Sequence, residues 1–340
     1  MYMFLEILTW LALMVALLLC AGFLYQQIAT KIDDYRYPAP GKLVDIGGYK
    51  LHAICKGEGS PTVILDAGMG CDALTWVAVQ EGVSKFTHVC SYDRAGYGWS
   101  DESPKVRTSA HIVKELHVLL QAMNQKPPYI LVGHSFGGTN MQLYAKTYPD
   151  EVYGLVLVDS CYEKQEERQE VVNKKFPKQL GVMQRIITFV LNNRFSRYFG
   201  VHRIIDSFAA DQLPPTFKDI AGVECAKTAT NKYFIVVLHE TQNLEESFKQ
   251  VAKSSQDLGS KPVLVISRGK NGSTNTAMSE RDKAKKEVWE ACQLDLVALS
   301  KNSKHIIAEK SGHMIPFEQP EIIVDAIKEM VEMYKKDAGK

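Results

Sequence analysis

The longest apolar pattern in the chain comes first. Residues 7–25, ILTWLALMVALLLCAGFLY, form a run of 19 positions without a charge. As a helix, such a run crosses roughly 30 Å of hydrocarbon. Trp10 and Tyr25 stand where interfacial aromatics are expected, with Glu6 at the edge. A cleaved signal peptide is the rival reading, but no Lys or Arg precedes the run and no small-x-small cleavage site is evident. The pattern predicts an uncleaved single-pass anchor over 1–27 and a polar linker over 28–42. Lys31, Arg36 and Lys42 follow the run, which leans towards a cytoplasmic body. The lean is weak and leaves the side of the membrane undecided.

Beyond Lys42 the pattern changes to short apolar runs separated by helical periods. Val44–Ile46 and Tyr49–Ala53, joined through Gly47-Gly48, read as a hairpin. Thr62–Leu65, His88–Tyr92, Tyr129–Val132, Leu155–Val158, Val263–Ser267 and His305–Ala308 read as buried, mostly parallel strands. Ile112, Leu116, Leu119, Leu120 and Met123 share one face of a helix over 109–123. Ile323, Ala326, Ile327, Met330 and Met333 do the same near the C-terminus. This alternation predicts an α/β fold with ligands at the strand C-terminal ends. The core is expected in two parts, 43–160 and 258–340, around a helical cap insertion over 161–257. Within the cap, Tyr233–Leu238 fits either a strand or a helix.

Charge and cysteine content narrow the classes. Forty basic and 39 acidic residues leave a net charge of +1, with no basic stripe suited to nucleic acid. Seven scattered cysteines contain no C-x-x-C pair. Their odd number argues against a complete disulfide framework and their spacing against structural zinc, so most read as small buried hydrophobes. No metal or organic cofactor is implied. Oligomeric state is not legible.

The candidate chemistry begins at LVGHSFGGTNM (131–141), where Ser135 lies between Gly133 and Gly137-Gly138, after a strand and before a helix. A sharp strand–turn–helix corner strains the backbone at the serine and leaves little room for flanking side chains, which is the context of a nucleophile elbow. His313, in EKSGHMIPFEQP, follows a strand and a glycine. A neutral imidazole beside a serine can take its proton during attack.

The segments GHSFGG, YDRAGYGWSD (92–101), VYGLVLVDS (152–160) and SGHMIPFEQPE (311–321), in this order and spacing, closely resemble the α/β-hydrolase superfamily over about 43–335. The resemblance implies an eight-stranded, mostly parallel α/β-hydrolase sheet with a helical cap insertion. It also implies an oxyanion hole made by the N–H groups of Phe136 and Met69. The superfamily usually has His-Gly in the loop that carries the second donor. This chain has Ala67-Gly68, which leaves the rigidity of that loop to be explained. Asp93-Arg94 in the turn after the fourth strand reads equally well as a structural Asp–Arg pair.

The acid usually found after the seventh strand is missing, because VLVISRGKNGS carries none there. A variation in the superfamily places it at the end of the sixth strand, which selects Asp159 and leaves Asp282 and Asp295 as alternatives. The expected site is Ser135, Asp159 and His313, acting on a small-molecule acyl or lipid-like substrate through an acyl-enzyme. A non-catalytic membrane scaffold, an acyltransferase and a peptidase remain as alternatives. Cap residues 176–199 combine apolar positions with Lys178, Arg185, Arg194 and Arg197. Those cations are expected either in water or against anionic headgroups.

Overall fold

The computed structural model describes residues 2–175, 194–204, 220–254, 258–270 and 278–339. Eight strands form one sheet: β1 (Lys42–Asp45), β2 (Lys50–Lys56), β3 (Thr62–Asp66), β4 (Val89–Tyr92), β5 (Tyr129–His134), β6 (Val152–Val158), β7 (Val263–Arg268) and β8 (Ser303–Ala308). Their spatial order is β1-β2-β4-β3-β5-β6-β7-β8. The β1–β2 and β2–β4 pairs are antiparallel and the rest are parallel. The helices are α1 (Tyr2–Arg36), α2 (Val77–Val83), α3 (Ser109–Ala122), α4 (Phe136–Thr147), α5 (Gln165–Lys175), α6 (Arg194–Tyr198), α7 (Ala221–Thr228), α8 (Asn231–Gln242), α9 (Leu244–Lys253), α10 (Glu280–Val297), α11 (Ile315–Glu318) and α12 (Pro320–Ala338).

Alternation along the strands sends side chains into two cores. Ile64, Leu131, Leu155, Leu157 and Val265 pack with Val113, Leu116 and Leu120 of α3 and Met141 of α4. Val63, Leu65, Ile130, Val132, Val156, Val158 and Ile266 pack with Val79 and Val83 of α2 and Ile323, Ile327 and Met330 of α12. Both faces are therefore dry, which explains why the central strands read as continuous apolar runs. Tyr233–Leu238, which fits strand or helix by sequence, lies in helix α8.

Two compact units divide the chain. Residues 1–39 and 179–235 form one, and residues 40–178 and 236–340 the other. The sheet belongs entirely to the second.

In the first unit, α1 is long and apolar enough to cross a membrane. Its 35 residues give a length of about 52 Å, well beyond the hydrocarbon thickness. Residues 28–36, expected as linker, continue this helix. Their polar side chains have tertiary partners. Gln26 is only 3% exposed and donates to the Ala229 carbonyl at 3.0 Å. Arg203 donates to Gln26 Oε1 at 2.8 Å and to Thr30 at 3.0 Å, and pairs with Asp33. Lys227 reaches Asp34 at 3.3 Å. Helical periodicity puts positions 26, 30, 33 and 34 on one side of α1.

Of the four basic residues singled out over 176–199, only Arg197 has a described side chain. Lys178 and Arg185 lie outside the described residues, as does the side chain of Arg194. Arg197 is buried at 8% exposure, where it contacts His202 at 3.0 Å and stacks 4.8 Å from the Phe234 ring. Its guanidinium packs against protein rather than standing in water.

Replacing Gln26 with Leu keeps volume but removes the acceptor of Arg203 Nε and the donor to Ala229. Losing such buried hydrogen bonds costs about 1–3 kcal/mol. Limited proteolysis of the full chain in detergent should therefore cut within 220–235 several-fold faster in Gln26→Leu. An unchanged rate would show that these bonds do not hold the segment to α1.

Candidate active site

Three strand ends supply the site. β5 ends at His134 and the chain turns at Ser135 with φ 52° and ψ −119° before α4 begins at Phe136. A non-glycine residue with positive φ is strained, and the surroundings must hold it there. The Ser135 N–H donates to the Val158 carbonyl at 3.1 Å. Gly137 is packed so tightly on the Asp66 backbone that any Cβ would overlap it. β6 ends at Asp159, also at positive φ (41°), and its N–H donates to the Ile266 carbonyl at 2.6 Å. Neighbouring strands thus fix both corners.

The loop after β8 carries His313. Its Nε2 lies 3.1 Å from Ser135 Oγ and its Nδ1 2.6 Å from Asp159 Oδ2. A carboxylate only accepts, so Nδ1 carries the proton and Nε2 presents its lone pair to the serine hydroxyl. Asp159 is fully buried. Its Oδ1 accepts from the Trp289 indole N–H at 3.0 Å and the Arg268 backbone N–H at 3.1 Å. Arg268 Nη1 reaches Oδ2 at 3.1 Å, so a cation balances the buried charge. Asp282 instead pairs with Ser279 at the start of α10. Asp295 pairs with Arg168 at 2.5 Å.

His134 joins two loops of the site. Its Nε2 lies 2.8 Å from the His313 carbonyl oxygen, so that nitrogen donates. Its ring borders Gly68, where a Cβ would come within 3.0 Å of Nδ1. Burial, with the neighbouring His313 second, lowers its pKa to about 3, so the ring stays neutral at ordinary pH. Cys161 Sγ lies 3.8 Å from Ser135 Oγ. Desolvation pushes that thiol up to about 12, which keeps it protonated and a poor competitor as nucleophile.

The loop Ala67–Gly70 is braced by Arg94, a role that sequence reasoning missed. Arg94 Nη1 donates to the Ala67 carbonyl at 2.5 Å and Nη2 to the Gly68 carbonyl at 2.9 Å. Its charge meets Asp66 at 2.8 Å and Glu240 of α8 at 3.0 Å. Tyr97 OH donates to Glu240 at 2.7 Å and accepts from the Gly70 N–H at 3.1 Å. Burial raises the Asp66 pKa, against the pull of Arg94. The expected Asp93–Arg94 pair does not form. Asp93 instead binds His52 Nδ1 at 2.8 Å and the Ala73 and Trp99 N–H groups. Arg94 therefore spends its fork on the loop beside Ser135. Phe136 opens α4, where no preceding turn offers an acceptor for its N–H. Met69 lies within the braced loop.

Nothing in VLVISRGK signals Arg268 as a partner of Asp159, and nothing around Trp289 does so either. Both contacts depend on tertiary placement.

Comparisons with known proteins agree with this architecture. A chain from Hormonema carpetanum described as "Probable transporter efuK" is 27% identical over 306 residues, 86% of this chain and 43% of that one. This chain therefore spans less than half the length of that relative. The "Uncharacterized protein YqjL" of Bacillus subtilis is 27% identical over 272 residues, 80% of this chain and 84% of that one. The solved structure of a Vigna radiata epoxide hydrolase mutant superposes with a TM-score of 0.65 at 17% identity, covering 86% of this chain and 98% of that one. That likeness concerns the fold. A family model described as "alpha/beta hydrolase fold" matches residues 61–320, and with its eight-stranded sheet the chain belongs to that hydrolase family.

Proposed function

We propose that the protein is a membrane-anchored serine hydrolase that cleaves a carboxylic ester or related acyl bond. The observation that carries this reading is the unbroken chain of contacts from Ser135 Oγ through His313 to Asp159. Ser135 Oγ attacks the acyl carbon while its proton passes to His313 Nε2. Asp159 holds the imidazole in the tautomer that can accept the proton, and stabilises the cation that results. The imidazolium then protonates the leaving alcohol, and the acyl group remains on Ser135. Water, deprotonated by the same imidazole, releases the acid. The Met69 and Phe136 N–H groups stabilise the oxyanion, each worth about 3 kcal/mol in the transition state.

Epoxide hydrolase chemistry uses an aspartate nucleophile in this superfamily, where this chain has Ser135. The fold shared with such an enzyme carries no argument about the reaction. Arg94 acts as a positioning residue. It fixes the carbonyls on either side of the Gly68 peptide, which sets the direction of the following Met69 N–H. It supplies the rigidity that a histidine in place of Ala67 would otherwise contribute.

Three variants test the reading on a chain-length panel of soluble esters. Ser135→Ala should abolish turnover with far-UV circular dichroism unchanged. Retained turnover would overturn the serine mechanism, and an inactive wild type across the panel would favour a scaffold. Asp159→Asn should lower kcat by roughly 10⁴-fold because Asn no longer enforces the tautomer. Wild-type rates there, with loss in Asp282→Asn or Asp295→Asn, would move the acid. Arg94→Lys keeps a charge but loses the planar fork. It should lower kcat by about 10- to 100-fold with KM little changed, since small displacements at a site cost that much. Equal kcat in Arg94→Lys would remove the brace from the mechanism.

A further inference from the structure

Cys55 on β2 and Cys90 on β4 face each other in the antiparallel register. Their Cα atoms are 4.2 Å apart and the two sulfurs are joined as a disulfide. This is the close spacing of an opposed pair without ladder hydrogen bonds between its members. The other five cysteines, Cys20, Cys71, Cys161, Cys225 and Cys292, are not joined in a disulfide. The pairing is therefore selective.

The bond is not shut away from reagents. Cys90 is buried but Cys55 is partly exposed, beside an open cleft of about 700 Å³ that Cys55 and His88 both line. A disulfide that small thiols can reach is exposed to reduction in a compartment rich in them. It endures where the surroundings are oxidising.

We infer that the Cys55–Cys90 disulfide forms after the body has crossed the membrane, which places Ser135 on the oxidising, extracytoplasmic side. The inference rests on reading α1 as a retained span, and it does not depend on what Ser135 does. Among the described residues α1 is the one helix long and apolar enough to cross. Residues 37–175 are all described and contain no second such helix, so Cys55, Cys90 and Ser135 share one compartment. Against this stand Lys31, Arg36 and Lys42, a three-residue charge bias. A covalent bond between facing cysteines is the stronger marker.

In forming the bond the two thiols give up two electrons and two protons. They pass by thiol–disulfide exchange to a protein disulfide of that compartment, which becomes a dithiol. With Ser135 acting as proposed above, its substrates are esters on that side of the membrane.

A reduced pair offers a different chemistry. Cys55, Cys90 and His88 bring their donor atoms within 4.8 Å of one another. The His88 Nδ1 contact to the Gly57 carbonyl at 2.9 Å directs Nε2 towards Cys90 Sγ at 3.5 Å. In a reducing compartment this trio could hold a soft divalent metal such as zinc, so the test must separate the two.

The full chain is produced in a bacterium with a periplasm, and intact cells are quenched in acid. The denatured protein is titrated with a heavy maleimide before and after reduction. Of the seven cysteines, the five outside the disulfide should react before reduction and all seven after it. A Cys55→Ser/Cys90→Ser variant should give five in both. Protease added to spheroplasts should digest the body from outside. Seven reactive thiols without reduction, with or without co-purifying zinc, would overturn the inference. So would a body protected until the spheroplasts are lysed. Because thiols are counted on denatured protein and topology on intact membranes, neither arm depends on esterase activity.

Discussion

A carboxylate without access to water must be satisfied by the protein, and Asp159 is the group around which this site is arranged. Burial of an unpaired charge is strongly unfavourable. Four contacts offset it here, from His313 Nδ1, the Trp289 indole, the Arg268 backbone N–H and the Arg268 guanidinium. Those donors come from a loop after β8, from α10 and from the end of β7. One carboxylate therefore ties together three separate parts of the second unit. The same bonds leave the His313 ring a single orientation, with Nε2 towards Ser135. The positive φ of Asp159 is part of this arrangement, since it turns the side chain off the end of β6 towards its partners.

A second buried charge system stands on the other side of Ser135. Arg94 lies between Asp66 and Glu240, all three at most 2% exposed. One cation facing two carboxylates is a costly arrangement unless every donor and acceptor is used. Two further guanidinium contacts go to backbone carbonyls of the loop after β3, and Tyr97 completes the coordination of Glu240. The stability of that network and the shape of the loop are the same set of bonds. Glu240 lies on α8, so this helix helps to hold a loop of the sheet within the second unit.

The sheet was largely legible in the sequence, because strands dry on both faces must be continuously apolar. Ser135 and His313 could be picked out singly and Asp159 only through the family resemblance, with Asp282 and Asp295 left open. The structure brings the side chains of Ser135, Asp159 and His313 within hydrogen-bonding distance. Other features carried no local mark. Arg94 and Glu240 are 146 residues apart, and nothing near either names the other. Cys55 and Cys90 are 35 apart, and only strand register reveals that they face. Residues 28–36 are polar enough to read as linker, yet contacts with Arg203 and Lys227 accompany their helical continuation. Tyr233–Leu238 was ambiguous because six apolar residues fit either period.

The central claim is that Ser135 is made nucleophilic by the His313–Asp159 pair. It is tested most directly by treating the full chain with a fluorophosphonate and mapping the adduct by peptide mass spectrometry. The account predicts a single adduct on Ser135 in the peptide containing residues 131–141, forming far more slowly in His313→Ala. An adduct on another residue, or equal labelling without His313, would contradict it.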